Sequence, residues 1–185
     1  VQINFKILKN YSKIWKKKKG YVFWITGLPG SGKTSIAKKL KHQIDKKIGK
    51  CILINGDEIR DIFKLKRYDK KSRLKYALSY AKLSKLISSS GVNVIIATVA
   101  LFHKVQKWNK NNIPNYVEIY IKADIKKIIQ MKKKRLYFRK DKNIVGKNIV
   151  AEFPKNPDIK INNNFEISNI NMANNLFKKI QKVIH

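Results

Sequence analysis

Trp24-Ile25-Thr26-Gly27-Leu28-Pro29-Gly30-Ser31-Gly32-Lys33-Thr34 is the stretch that decides the fold. From Gly27 onward it fits the phosphate-binding loop pattern Gly-x-x-x-x-Gly-Lys-Thr without a mismatch. The apolar run Tyr21 to Ile25 before it reads as a buried parallel strand. Ile36, Ala37 and Leu40 after it fall at helical spacing, so a helix opens near Lys33. Strand, glycine loop and helix in that order are the context the motif requires. Gly27, Gly30 and Gly32 permit backbone conformations closed to residues with a Cβ, which lets successive N–H groups point into one hollow. The helix start adds partial positive charge. Lys33 has the reach for β- and γ-phosphates, and the Thr34 hydroxyl suits Mg²⁺. The phosphate-contacting set is therefore Gly27, Leu28, Pro29, Gly30, Ser31, Gly32, Lys33, Thr34 and Ser35.

Working outward, strand-like and helix-like segments alternate, which predicts an α/β fold with a parallel sheet. The strands are Tyr21 to Ile25, Cys51 to Ile54, Val92 to Ala97, Tyr116 to Ile121 and Ile159 to Ile161. Helices are expected over 33–48, 70–90, 102–112, from Ala123 to the basic run Lys132-Lys133-Lys134-Arg135, and over 169–184. The second strand runs into Asn55-Gly56-Asp57-Glu58-Ile59-Arg60. Ligands of parallel sheets bind beyond the carboxyl ends of strands, so Asp57 shares a rim with the phosphate loop. A carboxylate there suits hydrated Mg²⁺ or the proton of an attacking hydroxyl; as a plain alternative it caps the following helix. Residues 61–69 read as a polar connection, and His103 lies on the rim after strand three.

The length of 185 residues suits one domain, divided here into a leader over 1–20 and a phosphate-loop domain over 21–185. No apolar run reaches membrane-spanning length, and a signal-peptide core is absent, so a cytoplasmic location is the expectation. The single Cys51 excludes an internal disulfide. The formal net charge of +32 on its own suggests nucleic acid. Yet only five of 43 basic residues are Arg, and the Lys are scattered among Asn and Ile, a pattern of biased composition. No module for reading base edges is visible, so no specific nucleic-acid partner is expected. A basic stretch around Arg139, Lys140 and Lys142 reads either as a lid over phosphates or as a solvated charge run.

Taken together, the loop, Gly56-Asp57-Glu58-Ile59-Arg60, Leu136-Tyr137, Val145-Gly146 and Pro154-Lys155-Asn156-Pro157-Asp158 resemble the adenylyl-sulfate kinase family. Ala97-Thr98, Leu101-Phe102-His103 and Trp108-Asn109 resemble a bacterial branch that includes cytidine diphosphoramidate kinases. The likeness covers roughly residues 20 to 165. It implies a P-loop NTPase fold, three layers α/β/α around a five-stranded parallel sheet. It further implies ATP and Mg²⁺, with transfer of the γ-phosphate to the 3′-hydroxyl of a nucleotide ribose. Adenylyl sulfate is the usual acceptor and is placed first; cytidine diphosphoramidate, used in making capsule phosphoramidate groups, is the alternative. By this likeness Asp57 and Lys33 are catalytic, Thr34 and Asp57 hold the metal, and Asp57, Arg60, Tyr68, Arg73, Val99, Ala100 and Ile144 line the acceptor pocket, with a lid at about 133–147. Members are often dimers, so a homodimer is the implied assembly, although no stretch of sequence marks an interface.

The departures from the family pattern concentrate in the acceptor half. Asn55 replaces the first Asp of the usual Asp-Gly-Asp. Tyr76, Leu78 and Ser79 stand where an Asn and a pair of Arg are usual, and Ala100 replaces a Ser. Ile144 stands near the usual second base-stacking aromatic, and the lid is several residues short. Those changes suit a smaller pyrimidine held by one aromatic and one aliphatic face. They also leave open a reading of another class, a catalytically weak ATP-binding regulatory module.

Overall fold

The computed structural model describes residues 19–131 and 143–184. The lid element Leu136-Tyr137, the basic run from Lys132 to Lys142 and nearly all of the leader lie outside these residues. Five strands form one parallel sheet: β1 (Val22–Thr26), β2 (Cys51–Asn55), β3 (Asn93–Ala97), β4 (Tyr116–Lys122) and β5 (Ile159–Asn162). Their order across the sheet is β2-β3-β1-β4-β5. The strand carrying the phosphate loop is thus central, with Trp24 in register with Ile96 on one side and Glu118 on the other. Every residue of β1 and β3 is buried, as a continuous apolar run demands of strands covered on both faces.

Alternation along β1 divides the core. Phe23 and Ile25 face a layer made by α1 (Lys33–Lys47) and the C-terminal helix (Asn169–Ile184), through Ile36, Leu40, Ile44, Leu176 and Ile180. Val22 and Trp24 face the opposite layer, built by residues such as Ala77, Ala81 and Val105. The result is the expected three-layer α/β/α arrangement. A third apolar cluster lies under the carboxyl rim, where Leu28, Leu101, Ile128, Ile144, Val145 and Ile149 meet.

Some boundaries differ from the sequence reading. Residues expected as rim and connection form a short helix, α2 (Gly56–Ile62). Asn55 caps it, its side-chain oxygen accepting from the Asp57 N–H at 3.3 Å. The long helix α3 (Lys70–Ser89) starts where expected, because Asp69 accepts from Ser72 N–H. Next in the chain come α4 (His103–Asn112) and α5 (Ile125–Gln130), and α6 is the C-terminal helix. α5 stops at Gln130 instead of continuing through the basic run.

The opposite rim is stitched by Asn93. Its side chain accepts from Tyr21 N–H and donates to the carbonyls of Gly49 and Lys50, joining β1, β3 and the approach to β2. Asn93 opens β3 in place of Val92, the expected first residue. Cys51 begins β2 as a buried thiol, and burial together with the Asp45 carboxylate pushes it up to about 12. The native thiol is therefore protonated at pH 8, and only the thiolate attacks an alkylating reagent. Iodoacetamide at pH 8 should label Cys51 only as fast as the chain unfolds, with a rate that climbs with denaturant. Rapid labelling of the native protein would contradict this packing.

Candidate active site

The phosphate loop leaves β1 at Thr26 and turns at Gly27, whose φ is 155°. A Cβ on Gly27 would lie 2.4 Å from the Ile121 carbonyl oxygen, so the loop runs flush against β4. Gly30 and Gly32 also hold left-handed φ values, 82° and 88°. Gly32 is the N-cap of α1 and brings no side chain over the helix start. Ser31 N–H donates to Leu28 O, tightening the turn. Lys33 folds back over the loop, its ammonium donating to Leu28 O at 2.7 Å and to Ser31 Oγ at 3.4 Å.

Beyond the loop lies a cleft of about 1050 Å³. One wall is Pro29, Gly30, Gly32, Lys33, Thr34 and Ser35; the other includes Asp57, Arg60, Tyr68, Arg73, Val99 and Ala100. These residues, singled out in the sequence, line one cleft. Gly27, Leu28 and Ser31 lie behind the wall: Leu28 anchors the loop in the rim cluster, and Ser31 is fully buried. Ile144 needs correction. Expected as the aliphatic face of the acceptor pocket, it is completely buried beside Leu28 and lines no part of this cleft, whereas Asn143 and Val145 on either side do. The main chain turns at Gly146, so the Ile144 side chain is drawn into the core. Of the expected lid, only residues 143–147 are described.

Arg60 and Arg73 are held in place. The Arg60 guanidinium lies 4.7 Å from the centre of the Tyr68 ring and 5.2 Å from that of Tyr76. It also donates to the carbonyls of Leu65 and Arg67. Arg73 lies 5.2 Å from the Tyr68 ring and donates to Tyr68 O and Asn143 O. Burial, and then the Arg60 charge, lower the Arg73 pKa. Two guanidiniums close enough to repel, both set against the Tyr68 ring, form a site suited to an anion. Asp57 sits at the second position of α2, exposed to the cleft. Its backbone is fixed by the Asn55 cap, so the amide at 55 does structural work that needs no second carboxylate. The oxygens of Thr34 and Asp57 suit a hard cation such as Mg²⁺, which takes few protein ligands beside phosphate oxygens. His103 is committed elsewhere: its backbone N–H donates to Glu152, and its ring contacts Phe153 O at 2.9 Å.

Three residues escaped the sequence reading. Asn163, after β5, is 2% exposed; it donates to Ser31 O at 3.0 Å and accepts from Phe165 N–H. Its Nδ2 lies 2.8 Å from where a Cβ of Gly32 would be. Phe165, with φ of 64°, lines the cleft beside it. Within the run Asn162-Asn163-Asn164 nothing marks one amide as special. Tyr80 lines the cleft from α3 and was findable, since positions 73, 76, 77 and 80 share one helical stripe.

The fold and loop define a phosphate-loop kinase. Residues 19–162 match the family described as adenylylsulphate kinase. The cytidine diphosphoramidate kinase of Campylobacter jejuni subsp. jejuni serotype O:2 is 35% identical over 172 residues, covering 91% of this chain and 96% of that protein. A probable adenylyl-sulfate kinase of Aeropyrum pernix is 31% identical, over 76% of this chain and 82% of that one. The Mycobacterium tuberculosis APS kinase in complex with AMPPNP and APS superposes with a TM-score of 0.79 at 19% identity, covering 88% and 98% of the two chains. The chain belongs to the adenylylsulphate kinase family. Among the described residues no helix is long and apolar enough to cross a membrane.

The loop geometry predicts a strong effect at Asn163. Asn163→Ala should lower stability by about 1–3 kcal/mol, the cost of stranding buried partners. Affinity for a non-hydrolysable ATP analogue should fall about tenfold by the same energetic scale. Asn163→Asp puts an acceptor and a negative charge beneath the phosphate loop and should weaken ATP binding further. Calorimetry on the three proteins checks both, and equal affinities would mean the loop holds its shape without this amide.

Proposed function

We propose that this kinase transfers the ATP γ-phosphate to the 3′-hydroxyl of a nucleotide ribose, with cytidine diphosphoramidate as the acceptor it fits best. The observation that carries the reading is the convergence of the phosphate loop, the Asp57 carboxylate and the stacked Arg60–Arg73 pair on one cleft. At about 1050 Å³ it stands at the top of the ~300–1000 Å³ range of ligand pockets, with room for donor and acceptor together. Mg²⁺ bound by ATP, Thr34 and Asp57 would supply neutralisation of phosphate charge. Lys33 adds a fixed cation on the same side. Asp57 accepts the proton of the attacking hydroxyl and holds it in line. Arg60 and Arg73 bind the acceptor's anionic groups, and Tyr68 stacks on its base. Phosphoryl transfer asks little of the protein beyond this positioning and charge balance.

The choice of acceptor rests on the pocket. Leu78 and Ser79, where an Arg pair is usual in the family, do not line the cleft, and Tyr76 carries an aromatic ring under Arg60. The extent of similarity to the Campylobacter kinase, across nearly the whole of both chains, supports the cytidine compound. Adenylyl sulfate, the acceptor placed first on sequence grounds, remains the second reading, favoured by the family match itself. We place the ATP base beside Phe165, at the loop's far side.

Following ADP release with ATP and Mg²⁺ and each acceptor in parallel decides between the two. Turnover with the cytidine compound alone is expected, and turnover with adenylyl sulfate alone reverses the assignment. Silence with both moves the protein to an ATP-binding regulatory module. Asp57→Asn should lower kcat by roughly 10²–10⁴-fold, as loss of a general base does. Lys33→Ala should abolish turnover with the fold retained.

A further inference from the structure

Arg60 leaves the last turn of α2, a helix of only seven residues, and the contacts that hold its guanidinium divide by origin. The carbonyls of Leu65 and Arg67 and the ring of Tyr68 belong to the connection between α2 and α3. There Phe63, Lys64, Lys66, Arg67 and Tyr68 are exposed, and Lys64 takes a left-handed φ of 50°. The Tyr76 ring, centred 5.2 Å from the guanidinium carbon, comes instead from the second turn of α3, a helix of 20 residues. Tyr76 is half-buried and packs against the apolar cluster of the layer behind it. Arg60 lines the cleft, and Tyr76 does not. Of these contacts, Tyr76 is therefore the one that ties Arg60 to the packed body of the domain.

We infer that Tyr76 is a positioning residue for the acceptor: its ring fixes the Arg60 guanidinium on the cleft wall where the acceptor's anionic group binds. This rests on the nucleotide-kinase reading above and applies to either acceptor. A long Arg side chain has many rotamers, and each one lost on binding costs affinity unless it is already lost in the free protein. Here the charge of Arg73 stands close enough to push Arg60 away while no anion lies between them. An aromatic face within about 6 Å attracts the cation and offsets that push. It does so without accepting an N–H, so the guanidinium keeps its donors for the anion. The Asn usual at this position in the family pattern could hold an Arg only by accepting one of those N–H groups. With Tyr76 in its place, this chain prepares the anion site by ring contact from a rigid helix.

Tyr76→Leu removes the ring and keeps apolar bulk, and Tyr76→Met serves the same purpose should the leucine variant not fold. Tyr76→Phe keeps the ring and loses the hydroxyl. The probe is cytidine diphosphoramidate, or adenylyl sulfate if that is what the wild type consumes, with a non-hydrolysable ATP analogue in the donor site. Tyr76→Leu should bind it about three- to tenfold more weakly, the cost of ordering one long side chain. Tyr76→Phe should stay within about twofold of the wild type, because the ring face is kept. KM for the acceptor should rise in Tyr76→Leu with KM for ATP unmoved. The same comparison is then made in Arg60→Ala, where Arg73 remains to bind the anion. There Tyr76→Leu should cost no further affinity, since the side chain it positions is gone. Unchanged affinity in Tyr76→Leu, an equal loss with and without Arg60, or a Tyr76→Phe variant as weak as Tyr76→Leu each overturn the assignment. Silence of the wild-type enzyme with both acceptors sinks the kinase reading and this inference with it. Turnover in the wild type with additive losses at positions 60 and 76 sinks only this inference.

Discussion

The carboxyl rim depends on how closely the main chain at Gly27 lies against the Ile121 carbonyl. No side chain fits between them. That contact brings the end of β1 under the end of β4, so the loop can turn back over its own strand before α1 begins. The tight Leu28–Ser31 turn, the left-handed glycines and the inward-folded Lys33 all follow from it. Leu28 then fills the rim cluster, and a Cβ at Gly146 would meet its side chain at 2.6 Å. The phosphate loop is thus clamped from below by apolar packing and from behind by strand backbone.

Around this clamp the chain uses asparagine where charge would be a burden. Asn55 caps α2 without adding a carboxylate beside Asp57. Asn93 joins three segments at the far end of the sheet, and Asn163 braces the loop from β5. An amide both donates and accepts, so one side chain satisfies backbone groups of both kinds. In a protein carrying +32 formal charges, these neutral brackets keep the cation density at the cleft where Arg60, Arg73 and Lys33 need it.

Much of this was legible in the sequence. β1, β3 and α1 announce themselves because a strand buried on both faces must be continuously apolar, and because the loop's glycines cannot be replaced by chance without losing the turn. The order of strands and helices followed from the alternation, and the family likeness carried Asp57, Arg60, Tyr68 and Arg73 onto the cleft wall. The remainder was hidden for physical reasons. α2 is too short for a helical period, and its cap was read as a departure from a catalytic motif. Ile144 is an aliphatic residue, equally at home in a pocket or a core, and only the turn at Gly146 decides between them. Asn163 is one of three identical neighbours, and its value lies in a partner 132 residues away.

That last separation has a consequence for how the protein comes into being. The loop motif ends at Thr34, early in the chain, but its brace on Ser31 is supplied only after β5 has paired with β4. A ribosome that has made the loop, α1 and the first four strands has produced Ser31 and still lacks the side chain that donates to its carbonyl. Contacts so distant in sequence form late in folding. A nascent chain that has not yet reached Asn163 therefore lacks the brace on Ser31.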